Sequence, residues 1–179
     1  MVSLASRYDD LLAAGGRIAV ISVDTPQQHA ALIEKLGLRF PMLSDPDRSR
    51  AIRPYGVADH KDARNIARPA FVIVTPQGDE VERRLSGDFA DRPTEDELIA
   101  AVGKLGMAPV EAEPIALGPA SPGPNAMPVA AMEPYYRGAK FAVTAMRLRH
   151  PELEEEAKRY IDELDRYIEA VRDLKRSNG

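Results

Sequence analysis

An α/β domain followed by a helical hairpin is the architecture this sequence predicts, and three observations carry it. Short apolar runs rich in β-branched residues, at 18–23 and 70–74, alternate with segments of helical periodicity across residues 1–105. Prolines then cluster at Pro109, Pro114, Pro119, Pro122, Pro124, Pro128 and Pro134, too densely for a helix, because each interior proline removes a donor and clashes with the preceding turn. Beyond them Leu153, Ala157, Tyr160, Leu164, Tyr167, Val171 and Leu174 recur at alternating spacings of four and three, the stripe of an amphipathic helix. The expected division is therefore 1–105 for the α/β domain, 106–134 for a Pro-rich linker or strap, and 135–179 for the hairpin.

Within the first part, residues 2–14 are expected as one helix, with Leu4, Tyr8, Leu11 and Leu12 at helical spacing and Gly15-Gly16 as its stop. The run 18–23 is expected as a strand covered on both faces. Thr25 caps the next helix, Pro26 suits its first position, and Gly37 ends it. A second short strand is expected at 40–43, then a helix at 48–54 introduced by Ser44, Asp45 and Asp47. The apolar run 70–74, the turn 76–78 and the run 80–85 make a β-hairpin. Thr94 with Glu97 three residues on is a capping box for a last helix, whose Leu98, Ile99, Val102 and Leu105 face inward.

Composition excludes whole classes of chemistry. With 44% hydrophobic and 29% charged residues the chain is globular in character, and a net charge of -4 offers no general attraction to phosphate backbones. The count of cysteines is zero, which removes disulfides, thiolate metal sites and any cysteine nucleophile supplied by this chain. No apolar stretch approaches the ~18–20 residues that span a bilayer, and no signal peptide is recognisable, so a soluble cytoplasmic protein without nucleic-acid or membrane partners is expected.

The order α β α β α β β α, with an early parallel crossover and a late antiparallel hairpin, is that of a thioredoxin-type domain read from the helix that follows its active site. Local wording agrees. Ile21-Ser-Val-Asp-Thr-Pro26, Phe40-Pro-Met-Leu-Ser-Asp-Pro-Asp47, Tyr55-Gly-Val57 and Arg68-Pro-Ala-Phe-Val-Ile-Val-Thr-Pro-Gln-Gly78 resemble stretches of peroxiredoxin-like proteins of the alkyl hydroperoxide reductase/thiol-specific antioxidant (redoxin) family. The resemblance implies thiol-dependent peroxide reduction, an antioxidant role in redox homeostasis, a protein reductant for a full-length form, and no cofactor. It also implies a catalytic cysteine at the start of the helix matching 2–14, preceded by the central strand. This chain begins inside that helix, so the expectation is a thioredoxin-like sheet missing its central strand, either lost or lying upstream of a wrongly chosen start. By the same resemblance Arg68 matches the arginine that polarises peroxide and Pro69 the position of a cis proline. Phe71 departs from the family by standing where many relatives place a small hydroxyl residue.

Other residues have local explanations. Asp45, Asp47, Asp59, His60 and Asp62 are oxygen and imidazole donors, but their spacing fits no metal motif and turn or cap roles account for the aspartates. His29, His60 and His150 have no serine or carboxylate partner at a motif spacing and are expected as structural or exposed. In the C-terminal part Pro134 is expected to open a helix carrying Tyr135, Ala139, Ala142, Val143 and Met146 on one side, which His150-Pro151 interrupts. The Leu153–Leu174 stripe then has three possible partners: the preceding helix, the redoxin core or a second chain. Two functions follow, an inactive or incomplete redoxin, or a non-catalytic module that dimerises or holds a partner through its C-terminal helices.

Overall fold

The computed structural model describes residues 1–87 and 92–177. The chain divides into two compact units, one of Arg7–Gly123 and one made of Met1–Ser6 with Pro124–Gly179. No described helix is long and apolar enough to cross a membrane.

In the first unit, α2 (Tyr8–Ala13) buries Tyr8, Leu11 and Leu12. It stops at Gly15, whose φ of +88° is costly for any residue with a Cβ. Gly16 is required for a second reason, since a Cβ there would stand 2.7 Å from Val102 Cγ1. The chain then forms β1 (Val20–Ser22), α3 (Pro26–Leu36) and β2 (Met42–Ser44). Thr25 and Gln28 close a reciprocal capping box on α3, and Gly37 ends it in the left-handed conformation. β1 and β2 are parallel, with Val20 opposite Met42 and Ser22 opposite Ser44. Phe40, just before β2, is completely buried and meets the Tyr8 ring edge-on at 5.3 Å.

β3 (Ala70–Val74) and β4 (Glu80–Leu85) form the antiparallel hairpin, with a bulge between Ile73 and Val74. α4 (Glu95–Gly103) starts at the Thr94–Glu97 capping box. The mixed α/β fold is thus the thioredoxin-like one expected, and its sheet lacks the central strand: among the described residues β1 pairs only with β2, and β3 only with β4. Each half-sheet keeps a lateral edge without a strand partner. Neither strand is covered on both faces as its composition suggested. β1 is half-buried along its length, while Ala70 and Val74 of β3 are exposed and only Ile73 is buried. A cluster of Ile52, Val57 and Ala58 supports both halves, contacting Ile21 and Val23 on one side and Leu85 on the other.

Two expected helices of the first unit differ. The helix at 2–14 is two helices, because Arg7 leaves helical geometry at φ -106°, ψ 11°; α1 (Val2–Ser6) belongs to the other unit. The helix at 48–54 is a series of turns, since Arg48 takes φ +63° and the segment folds around the buried Asp45 carboxylate, which accepts the N–H groups of Arg50, Ala51 and Ile52. The strap belongs to the α/β unit as far as Gly123, held by Val110 N–H to Leu12 carbonyl at 3.0 Å and Ser121 N–H to Gln27 carbonyl at 3.0 Å.

In the second unit α5 (Val129–Arg149) and α6 (Glu154–Ser177) form the hairpin, joined through a 3-10 turn at Pro151–Leu153, and α1 packs on α6. α5 starts five residues before Pro134, which lies inside it. Proline is compatible with the first helical turn, yet here it sits past that turn, next to the exposed Ala130 whose carbonyl it cannot engage. The α6 stripe is an interior seam. Ala157, Leu164, Val171 and Leu174 are buried, Leu153, Tyr160 and Tyr167 partly so, and Tyr136 of α5 meets Tyr167 at 5.4 Å. Polar ties flank it, Lys140 to Asp165 at 2.6 Å and Arg172 to Glu133 at 2.9 Å. The five α5 residues expected on one side do not share an environment: Ala139 and Val143 are half-buried, but Tyr135, Ala142 and Met146 are exposed.

Candidate functional site

The residues singled out lie immediately before β3. Arg68 is fixed by its backbone, whose N–H donates to the Val57 carbonyl at 2.8 Å, and Ser86 N–H reaches the Pro69 carbonyl at 2.8 Å. The Arg68 side chain is exposed. Its Nη2 makes one long hydrogen bond to the Ser86 carbonyl at 3.4 Å and no ion pair among the described residues. The Arg68–Pro69 peptide is trans. Phe71 lies beside Arg84, whose guanidinium is 5.8 Å from its ring centre. What this arrangement supplies chemically is an uncommitted guanidinium able to bind an anion or polarise an oxygen. It contains no nucleophile.

A second polar centre joins the carboxyl ends of β1 and β2. His29 on α3 is 2% exposed, with Nε2 2.8 Å from Ser22 Oγ and Nδ1 3.3 Å from Ser44 Oγ. Ser22 donates its hydroxyl proton to Asp24 at 2.7 Å and accepts the Asp24 backbone N–H at 3.1 Å. Burial holds the His29 pKa below its ordinary value, against the opposing pull of the Asp24 charge and the Met42 carbonyl. The ring is therefore neutral at pH 7. This is not a nucleophile with its base, because the serine gives its proton to the aspartate and the carboxylate contacts serine rather than imidazole. His29 also forms part of a groove of about 270 Å3 beside Pro26, Ile33 and Met42, closed on its far side by Ile115 and Leu117 of the strap.

The aspartates considered as metal donors are dispersed on local backbone. For Asp45 burial would raise the pKa, but the N–H groups of Ile52, Arg50 and Ala51 outweigh it and leave the carboxyl below the usual range. Asp47 accepts from Ser49, and Asp59 from the N–H groups of Lys61 and Asp62. Asp62 is pulled down to about 2 by the Arg64 guanidinium and the Arg64 N–H. No cluster able to hold a metal occurs among the described residues.

The sequence singled out Arg68 and Pro69 through the resemblance alone, and it did not single out His29, the hub of a buried network. A signal was present. Both apolar strands end in serine, Ser22 followed by Asp24 and Ser44 by Asp45, and parallel pairing in register puts the two hydroxyls side by side.

Comparison with known proteins adds two findings. A family model described as AhpC/TSA family matches residues 1–81. Among solved structures, the crystal structure of Enterococcus faecalis AhpC aligns with a TM-score of 0.51 and 26% identity, covering 59% of this chain. The chain spans 63% of that relative's length. No curated protein matches the chain.

Proposed function

Since residues 1–81 are peroxiredoxin-like, of the AhpC/TSA (redoxin) family, we propose that this polypeptide is a redoxin module that does not reduce peroxides by itself. The observation carrying this reading is the zero cysteine count of a chain that keeps the arginine of the resemblance. Thiol peroxidases work by attack of a thiolate on the peroxide O–O bond, giving a sulfenic acid and releasing water or an alcohol. Arg68 can orient a peroxide oxygen and stabilise a thiolate, but it cannot be the electron donor. Methionine sulfur can take one oxygen atom without the thiol cycle that returns it, so it supports no turnover.

In this reading Arg68 and Pro69 are residual redox-site positions, and the family's peroxide-reducing, antioxidant role in the cytoplasm belongs to a form in which a cysteine-bearing strand and helix occupy the space between β1 and β3. The test is a peroxide-consumption assay on the chain with hydrogen peroxide and dithiothreitol. The expected rate equals that of a protein-free control. Sustained, stoichiometry-exceeding turnover would overturn the proposal. A second reading, a non-catalytic interaction module, is favoured by the exposed apolar side chains of α5.

A further inference from the structure

Residues 112–120 of the strap roof a groove without being bonded to its floor. The strap is held on both sides of it, by Val110 N–H to the Leu12 carbonyl and by Ser121 N–H to the Gln27 carbonyl, each at 3.0 Å. Between these anchors it makes no backbone hydrogen bond among the described residues, and its side-chain tie is Glu113 to Arg17 at 2.6 Å. Below it lies a space of about 270 Å3, walled by Ala30 and Ile33 of α3, Met42 and Leu43 of β2, and Ile115 and Leu117 of the strap. Leu43 and Leu117 remain 49% and 42% exposed, so neither wall closes on the other. Close-packed proteins leave few voids larger than a water molecule, and a space of this size marks a place where something other than the chain fits.

We propose that this groove binds a small, uncharged, mostly apolar molecule the size of two fused rings, with the strap as its roof. Charge decides the class. The two ionisable groups at the groove are both committed, the Glu113 carboxylate to the Arg17 guanidinium and the His29 ring nitrogens to Ser22 Oγ at 2.8 Å and Ser44 Oγ at 3.3 Å. No buried side-chain polar atom among the described residues lacks a partner. A charged ligand would therefore lose hydration here and gain no counter-charge, whereas an apolar one loses only its contact with water. Size decides the rest. A cavity of about 150 Å3 holds one benzene ring, so about 270 Å3 suits two. The two anchors favour a small molecule over a peptide, because a chain would have to thread between strap and floor while both ends of the strap stay bonded. Neither Arg68 nor Pro69 lines the groove, so this inference stands or falls apart from the redoxin reading.

Titration of the intact chain with 2-naphthol at neutral pH, followed by methyl NMR, tests it. Saturable shifts at the Ile33, Met42, Ile115 and Leu117 methyls are expected, with a dissociation constant of about 1 mM or tighter. 2-Naphthoate, the same rings bearing a carboxylate, should bind at least about tenfold more weakly. Leu117→Glu puts a charge on the groove wall from an exposed position in a segment without backbone bonds, so the fold is kept while affinity for 2-naphthol falls at least about tenfold. Phe141→Glu, on an exposed part of α5, should leave that affinity within about twofold. The absence of saturable shifts at the groove methyls up to about 4 mM probe, shifts centred on Phe141 instead, 2-naphthoate binding as tightly as 2-naphthol, or an affinity that Leu117→Glu leaves intact would each overturn the proposal.

Discussion

The α/β unit and the helical unit bury their apolar residues by opposite routes. In the helical unit one regular element does most of the work: α6 sends Ala157, Leu164, Ile168, Val171 and Leu174 into a single seam. In the α/β unit the deepest residues sit on helices, turns and strand flanks, with Tyr8, Leu11, Phe40, Ile52 and Asp45 all at or below 2% exposure, while the strands stay half-covered. A strand gains full cover only when layers close on both its faces and neighbours line both its edges. A helix satisfies its own backbone and needs cover on one side only. An α/β unit with a divided sheet therefore depends on polar clamps such as Asp45 and His29, and a helical pair does not.

The sharpest way to test this difference is to damage each unit at its own type of anchor. Leu164→Ala should have the largest effect, a loss of about 2–5 kcal/mol read from chemical denaturation followed by tyrosine fluorescence or helical circular dichroism, since the fully buried side chain leaves a cavity in the seam. A loss below ~1 kcal/mol would mean the seam is loosely packed. Asp45→Ala should rank next, lowering the melting midpoint by roughly 5–10 °C, because three backbone donors lose their acceptor together. An unchanged midpoint would show that water replaces the carboxylate.

A graded effect comes from acid. The folded-state pKa values of Asp45 and Asp62 are depressed, so their stabilisation is present above the unfolded value of about 3.9 and is lost as pH falls toward the folded values. His29 acts in the same direction at higher pH. Its folded pKa is also depressed, so below about 6.5 the unfolded chain binds the proton more readily and stability declines. Hydrogen exchange should accordingly show faster opening around Val20–Ser22 between pH 7 and pH 4.5, from His29, and around Ile52 only below about pH 4, from Asp45. Unchanged protection across the first interval would show that the His29 network carries no stability, and across the second that the Asp45 network carries none. The smallest effect is expected from Arg68→Ala, about 0–1 kcal/mol, since its exposed guanidinium holds only one long hydrogen bond. A loss above ~2 kcal/mol would reveal a structural role for this arginine.

Local chemistry explains which of these features could be read from the sequence. Thr25 and Thr94 announce their helices because a capping box is complete within four residues, and 70–74 with 80–85 declares a hairpin because its turn lies between its strands. The missing central strand was legible by its neighbours' wording. Long-range choices were not. Residues 48–54 carry helical composition, and only the left-handed Arg48 and the burial of the Asp45 carboxylate beneath them turn the segment into a series of turns. On α5 the apolar residues occupy both sides of the helix, so periodicity alone could not decide which side meets α6. At the site, Arg68 was visible through the resemblance, whereas His29 needed the pairing of two strands separated by a whole helix.

The strap bonded to α2 bears on the order in which the α/β unit is completed during synthesis. Arg17 donates to the Glu111 carbonyl across 94 residues of sequence, and Val110 closes on Leu12. The first helix of the unit thus leaves the ribosome long before the segment that covers it. At about 5–20 residues per second the ribosome takes on the order of 5–20 s to supply that segment, during which Leu11 and Leu12 lack their final neighbours. The unit is therefore expected to finish folding as a late, concerted event rather than strand by strand, with holdase chaperones competing for its early apolar helix. Nascent chains stalled just after Gly106 should remain protease-sensitive at 7–17, and those stalled well beyond Gly123 should not.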